Sequence, residues 1–542
     1  MLPGERISPR EWRRVVVFAA LILCATTVPY VVGWLAQGDD WRFTGALFGV
    51  EDANSYLAKM RIGASGGWLF VNRYTSEPHR GALFFLPYIL LGHLARLLAG
   101  GKPVAVGTLI AVYHGARVVF GFALILVIYR FVAAFVRAPA VRWLALVLAT
   151  LGGGLGWLLS LTGRGTVFGS LPLDLYVPEG YSFLILFGLP HLALARAALL
   201  TGFLALLDAT ALDGAARSWL GRSLLAGAAW VVTGLCVPFY IAVVYVLLGV
   251  WGLAVWVQRR HFPWDLFWRA ATAALVPLPV LLYSTWVFAA NDVLAQWAAQ
   301  NRLPSPHPLH YALGYAGLAI PAAAAIPWAW RRGAQHAGHL LLVSWVVAAP
   351  VLVYMPVNVQ RRLAEGIIVP LGILAAMGLR RLAPRRRKLA QAVLLALVLP
   401  TSGLLWLGGL VSVLAPQRPI FRPADEIAAL QTLNAVAFRG AVVLSRHETG
   451  NLVPVHTDLI AYVGHGPETV DAETKERRVA AFFRDTLSPD ERAALLAEVD
   501  YVLAGPLERA DASGDGWQAG LREISVHGSG PDRFVVYEVQ RD

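Results

Sequence analysis

Apolar runs of about 20 residues, separated by short polar segments, recur along the chain from residue 15 to residue 414. At 1.5 Å per residue, a helix of that length crosses a ~30 Å hydrocarbon core. The runs predict spans at 15–35, 108–135, 143–161, 182–207, 223–236, 238–257, 269–290, 311–330, 340–355, 366–379 and 389–414. The expected fold class is mainly α, a polytopic membrane protein of about eleven transmembrane helices. The 223–236 and 238–257 pair meets at Pro238, whose missing amide also fits two short helices.

The polar positions orient these spans. Arg6, Arg10, Arg13 and Arg14 precede the first run, and Arg130, Arg137 and Arg142 close the second. Arginine and lysine collect in cytoplasmic loops, which places the N-terminus inside and the long 37–106 segment outside. Within that segment, residues 82–99 are apolar but interrupted by Pro87, Gly92, His93 and Arg96. If they crossed, the basic groups of later loops (Arg217 and Arg222, Arg259 and Arg260, Arg331 and Arg332, and 380–388) would all lie outside. Residues 82–99 are therefore expected to lie along the outer surface as an interfacial helix.

From residue 416 the pattern becomes that of a soluble protein. Helices are expected at 423–437 and, as a pair, within 472–498; strands at 441–445, 459–464, 501–505 and 533–539. The expected domains are a membrane domain, 1–415, and a small extracytoplasmic α/β domain, 416–542.

Composition agrees with this picture. Of 542 residues, 57% are hydrophobic and 15% charged, against about 25% charged in soluble proteins. The net charge of +12 would suggest nucleic acid in a soluble protein; here it is topology signal, and no nucleic-acid partner is expected. Cys24 and Cys236 both lie in apolar segments and imply neither a disulfide framework nor a zinc site. Residues 15–36 are too long for a signal-peptide core and are read as an anchor.

The candidate chemistry lies outside the spans. Glu51 and Asp52 follow the apolar FTGALFGV. In a helix over 51–62, Asp52, Tyr56 and Lys59 share a face. A carboxylate, a phenol and an ammonium there suit a base for a hydroxyl acceptor with a cation for phosphate; the plainer alternative is a helix cap at Asp52. Trp68 and Tyr74 are interfacial belt residues or sugar-stacking rings. His79 positions a substrate oxygen, ligates a metal, or is polar surface. In the next outer loop, Asp174 and Glu179 are carboxylates beside the membrane, where charge usually has a partner or a function. His191 reads as a packed bundle histidine. Arg361 and Arg362, in NVQRRLAEG, fall on the outer side against the positive-inside trend. Guanidinium matches phosphate oxygens, and the alternative is pairing with Glu365 or another acid. Arg117 raises the same question within the second run.

The segments VEDANSYLAKMRIGASGGWLF and EPHRGALFFLPYILLGHLARL, with many further spans and an outer soluble domain, resemble the GT-C membrane glycosyltransferases. That group includes protein mannosyltransferases, aminoarabinose transferases and the oligosaccharyltransferase catalytic subunit. The architectural resemblance covers roughly residues 10–415; the motifs cover a few dozen. It implies an inverting, direct transfer of a sugar from a polyisoprenyl-phosphate donor to a lipid, glycan or protein acceptor at the outer face of a bacterial plasma membrane. Carried over, Asp52 is the base, with Glu51 as alternate, and Arg361, Arg362 and Lys59 meet the donor phosphate. Tyr56, Trp68, Tyr74, His79, Asp174 and Glu179 are candidates for the acceptor or sugar. The acidic pair is Glu-Asp where the mannosyltransferases have Asp-Glu, the proline pair after the histidine is missing, and so is the tryptophan-rich acceptor motif. Acceptor and metal dependence stay open; a divalent metal is compatible. The alternatives are a transporter or flippase of lipid-linked glycans, which would favour polar mid-membrane residues and repeated halves, and a non-catalytic envelope scaffold.

Overall fold

The computed structural model describes residues 7–163, 165–210, 216–510, 512 and 514–541. Arg6 and the side chain of Arg217, both used above for orientation, lie outside the described residues.

Among the described residues, seven helices are long and apolar enough to cross a membrane, or eight if one bent pair is a single span. They include Pro9–Ala36, Val106–Phe135, Tyr240–Arg259 and Pro308–Gly333. The bent pair, Trp264–Leu275 and Leu278–Ala290, turns by 47° at Pro277. Three further predicted spans overlap shorter apolar helices, Pro139–Leu151, Gly338–Leu352 and Ile368–Arg380. At 1.5 Å per residue these rise only about 20 Å. Every residue from Ile368 to Leu379 is buried, so this helix is a core element rather than a lipid-facing one.

Two further expected spans are broken. Residues 143–161 do not form one helix: the first segment ends at Leu151, and a separate short helix runs Gly156–Leu161. The three glycines between them allow close approach, since a Cβ on Gly154 would lie 2.5 Å from the Gly314 Cα. Residues 182–207 divide into Ser182–Gly188 and Pro190–Thr210, because Leu189 precedes a proline and is held out of helical geometry.

The chain forms two compact units. One comprises Met1–Val28, Gly115–Trp286 and Arg302–Gly408; the other comprises Pro29–His114, Val287–Asn301 and Gly409–Asp542. The first, the helical unit, has one continuous core from Val15 to Val398. Helix Ile368–Arg380 packs there against Pro308–Gly333 and Pro139–Leu151.

The second, the mixed unit, joins the first predicted outer loop to the C-terminal segment. Helix Val50–Ala64 packs on helix Leu86–Leu98. Two glycines set this crossing: a Cβ on Gly63 would lie 2.0 Å from the Ile89 carbonyl oxygen, and one on Gly92 1.8 Å from that of Met60. Helix Leu86–Leu98 buries Tyr88, Ile89 and Ala95 and exposes Leu90, Leu94, Leu97 and Leu98. Its thirteen residues rise roughly 20 Å, short of the hydrocarbon thickness, and its exposed leucine stripe is the face an interfacial helix needs.

Strand β1 (Trp41–Phe43) pairs antiparallel with β2 (Phe421–Pro423). Five further strands form a sheet: β3 (Val442–Leu444), β4 (Ile460–Ala461), β5 (Tyr501–Ala504), β6 (Leu521–His527) and β7 (Phe534–Val539), in order β4-β3-β5-β7-β6. The β4-β3-β5 pairings are parallel and the rest antiparallel. The expected helices appear at Ala424–Val436, Ala472–Phe483 and Pro489–Ala497.

Candidate active site

The first-loop carboxylates stand on the opening turn of helix Val50–Ala64. Its cap is Gly49, with φ 54°, and no side chain caps it. Asp52 is thus not the cap; it lies in the first turn with Glu51, where carboxylates also complement the helix dipole.

Both acids meet histidines from the C-terminal segment. Glu51 Oε1 lies 3.2 Å from His447 Nε2, and His447 Nδ1 lies 2.7 Å from Glu476 Oε1. With a carboxylate at each nitrogen, the imidazolium form donates at both ends. Accordingly the Glu51 hydrogen bond, against some cost of burial, raises the His447 pKa above its ordinary value. Glu51 also accepts from the Gly466 N–H at 2.6 Å. Burial works to raise the Glu51 carboxyl, but the His447 hydrogen bond, the His465 charge and the Gly466 amide outweigh it and hold the group below its ordinary range. His465 is buried, with Nε2 3.5 Å from Asp52 Oδ1 and Nδ1 3.9 Å from Glu51 Oε1. These are ion-pair distances, too long for good hydrogen bonds. Burial would lower the His465 pKa, yet the Glu468 charge, the contact with Asp52 and the Glu51 charge raise it. The Asp52 side chain stays 62% exposed, against 45% for Glu51.

Beneath this pair the helix turns inward. Lys59 is 2% exposed, 2.7 Å from Glu468, hydrogen-bonded to Ser55, and its ammonium sits 4.3 Å from the Phe85 ring centre. The Asp52–Tyr56–Lys59 row exists, but it runs from solvent into the interior. Ser55 donates to Glu468 at 2.6 Å. Burial opposes the Glu468 charge, and Lys59 and His465 overcome it, keeping this carboxyl below its ordinary value. Asn54 donates to Asn451, and Asp458 takes Arg61 and Arg73 at 3.2 Å each.

The remaining first-loop candidates have local partners. Tyr56 stacks on Tyr88 at 4.7 Å and Trp68 on His93 at 4.1 Å; Trp68 is 57% exposed. Tyr74 is buried and donates to the Asn451 carbonyl at 3.0 Å. His79 Nε2 accepts from the Asn72 N–H and Nδ1 lies 2.8 Å from the Glu77 carbonyl. That pairing fixes the neutral tautomer with the proton on Nδ1, and both ring nitrogens serve the backbone.

In the helical unit, the loop 172–182 and the short helix Gln360–Ala364 bring a second set together. Arg196, in the middle of the bundle, makes two hydrogen bonds to Glu365 at 2.7 and 3.0 Å. The same guanidinium donates to the Pro178 and Glu179 carbonyls. Glu365 is therefore taken by Arg196, and Arg362 pairs instead with Glu179 at 3.3 Å. Arg361 has its guanidinium 5.0 Å from the Tyr176 ring centre; among the described residues no carboxylate pairs with it. Asp174 is buried and accepts from the Gly154 and Gly156 amides and the Thr401 hydroxyl. It clamps the glycine break to the last span, and burial outweighs these bonds to raise its pKa. Arg117 donates to Thr26, Thr27 and the Leu186 carbonyl.

Compared with solved structures, the chain matches the oligosaccharyltransferase of Archaeoglobus fulgidus in the apo form. The TM-score is 0.54 and the identity 13%, over 91% of this chain and 69% of that one. The chain has the GT-C fold. The Archaeoglobus enzyme in complex with an inhibitory peptide and a dolichol-phosphate gives a TM-score of 0.51 at 13% identity, over 96% and 74% of the two chains. ArnT from Cupriavidus metallidurans bound to undecaprenyl phosphate also matches, with a TM-score of 0.49 and 14% identity over 96% and 97%. No family model and no curated protein matches the sequence. On this GT-C scaffold, His447, His465 and Glu468 were not expected from sequence; they lie in or near GNLVPVHTDLIAYVGHGPET, whose turn-rich tail is their only signal. Among the described residues, no three histidine, cysteine or acidic side chains are placed to hold a metal ion together.

Proposed function

We propose that this protein transfers a sugar from a polyprenyl-phosphate-linked donor to an acceptor at the outer face of a bacterial plasma membrane, with its N-terminus inside and its C-terminal segment outside. The fold supports glycosyl transfer, and the dolichol-phosphate complex of the Archaeoglobus relative supports the donor class. One observation carries the choice of base. Of the two adjacent first-loop carboxylates, Glu51 is engaged by His447 and the Gly466 amide, while Asp52 presents the more exposed oxygens.

In the proposed reaction, Asp52 takes the acceptor proton. The acceptor heteroatom forms a bond to the anomeric carbon, the bond from that carbon to the phosphate oxygen breaks, and the polyprenyl phosphate leaves with the electron pair. The configuration inverts. Glu51 holds His447, and His465 lies beside Asp52. Arg361, lying on Tyr176 without a carboxylate partner, is assigned to a donor phosphate; Arg362 holds Glu179. Lys59 receives a different role from the one sequence suggested, a buried strut for Glu468. Trp68 and Tyr56 are assigned to sugar or acceptor contact. Tyr74, His79, Asp174 and Glu179 support the loops that carry the site. Each role rests on its own surroundings.

Asp52→Asn should lower turnover of a panel of radiolabelled undecaprenyl-phosphate sugars at least ~100-fold, as loss of a general base does, with unchanged melting temperature. Full turnover would remove Asp52 from the mechanism. Arg361→Gln should raise the donor KM roughly tenfold, a loss of about 1.4 kcal/mol. An unchanged KM would reassign Arg361 as structural.

A further inference from the structure

The helical unit holds a second cationic feature that the proposed reaction does not use. A cavity of about 470 Å³ opens where the second span ends (Ala134–Arg137), between the ends of Pro308–Gly333 and Ile368–Arg380 and the start of Gly338–Leu352. Its lining includes Arg137, Arg332, Arg380, Arg381, His336 and His339. Among the described residues no carboxylate pairs with any of these arginines. Arg332 bonds only the Gln335 side-chain oxygen and Arg381 the Ala324 carbonyl. The positive-inside pattern assigns these loops to the cytoplasmic face.

Topology alone explains arginines at such ends, but not the floor of the cavity. His339 is 8% exposed and its Nδ1 makes no hydrogen bond of ordinary length, the His336 and Phe135 backbone lying only near the ring. The ring is held edge-on between Trp328, 5.4 Å away, and Phe135, 6.1 Å away. A buried ring nitrogen left unpaired is costly. A rim of guanidinium groups without carboxylate partners, over an apolar, aromatic floor holding one buried imidazole, fits a single chemistry. The rim suits a phosphate's oxygens, one polar atom can reach the floor nitrogen, and any apolar chain can leave along the helices.

We propose that this cavity is a binding site for a phosphate group, either the headgroup of an acidic phospholipid of the inner leaflet or a free phosphate. Arg137 and Arg380 supply the exposed rim and His339 the buried contact. Basic pockets between transmembrane helices on the cytoplasmic side are the places where such headgroups bind.

Thermal melting of the full-length protein in nonionic detergent tests this, with dioleoylphosphatidylglycerol, dioleoylphosphatidylcholine or sodium phosphate added separately. Phosphatidylglycerol should raise the melting temperature saturably and phosphatidylcholine should not. A response to phosphatidylglycerol alone identifies a lipid headgroup; an equal response to sodium phosphate identifies a free anion. Both outcomes support the site. R137Q/R380Q should weaken the half-saturating concentration at least tenfold, and H339Q by a smaller factor. R385Q/R386Q, on the same predicted face but outside the cavity, should leave it unchanged. No response to either anion, an unchanged response in R137Q/R380Q, or an equal loss in R385Q/R386Q would overturn the proposal. Should the double variant fold poorly, R380Q alone, on the exposed rim, carries the same test.

Discussion

Arg196 and Glu365 in the helical unit and Glu51 and His447 in the mixed unit are both opposite charges in contact, but they are solvated very differently. The first pair is fully buried at both ends and joined by two hydrogen bonds from Nε and Nη2, with Nη2 also on the Pro178 and Glu179 carbonyls and Nη1 on Ser182. The second keeps 27% of the histidine and 45% of the glutamate in water, and each partner is shared with a third group. A buried, saturated pair holds one geometry and gives up nothing without a large loss. A partly exposed histidine between two carboxylates has its pKa raised by them and still has water to turn to. The first arrangement fixes the loop that carries Arg361 and Arg362; the second suits a site where protons move.

Three experiments would break or sharpen this contrast. The largest effect is expected from R196M. It leaves the Glu365 carboxylate buried without its partner and should cost about 3–5 kcal/mol, read as a fall in melting temperature. R196M/E365L, which removes both charges, should recover most of that loss. A double variant as unstable as the single one would place the stabilisation in the bonds from Arg196 to Pro178 and Glu179 instead. K59M comes next. Glu468 loses its ammonium but keeps Ser55 and the nearby His465, so about 2–3 kcal/mol is expected, with faster proteolysis of the C-terminal segment at unchanged protease activity. Equal resistance would show that Lys59 is not a strut.

The smallest effect is that of pH. His447 and His465 have raised pKa values, so their contribution is full below their ordinary value of about 6.5 and fades as pH rises through the raised one. Glu51 and Glu468 have lowered values, so theirs is full above about 4.5 and fades as pH falls through the lowered one. Amide exchange across residues 447–468, corrected for its intrinsic pH dependence, should be slowest between about 4.5 and 6.5. Protection that keeps rising through pH 8 would show that the histidines are neutral there.

Much of the helical framework was legible because an apolar run needs no partner to be recognised. The breaks were not: LGGGLG at 151–156 continues the hydrophobic pattern, and only the approach of Gly314 and the demand of Asp174 for two amides end the helix there. In the mixed unit β6 escaped because its alternation is polar and only one neighbour pairs with it. Glu51 and Asp52 could be read as acids placed directly after a span. Their histidine partners lie about 400 residues away, as isolated residues with no periodicity to give them away. Arg361 and Arg362 stood out against the charge pattern, but their sequence positions could not separate Arg362, which holds Glu179, from Arg361, which does not.

The β1–β2 ribbon has a consequence for how the chain is made. Thr44 bonds the Ile420 carbonyl across 376 residues, so the segment after the first span meets its strand partner only once nearly four-fifths of the protein has left the ribosome. At ~5–20 residues per second that takes roughly 20–75 s. Through that interval Glu51, Lys59 and Arg61 are already synthesised while Glu468, His447 and Asp458 do not yet exist. The segment that carries the candidate base is thus among the first to emerge and the last to take its final form, and a nascent chain stopped short of residue 468 would be threaded through the membrane with Lys59 still waiting for its carboxylate.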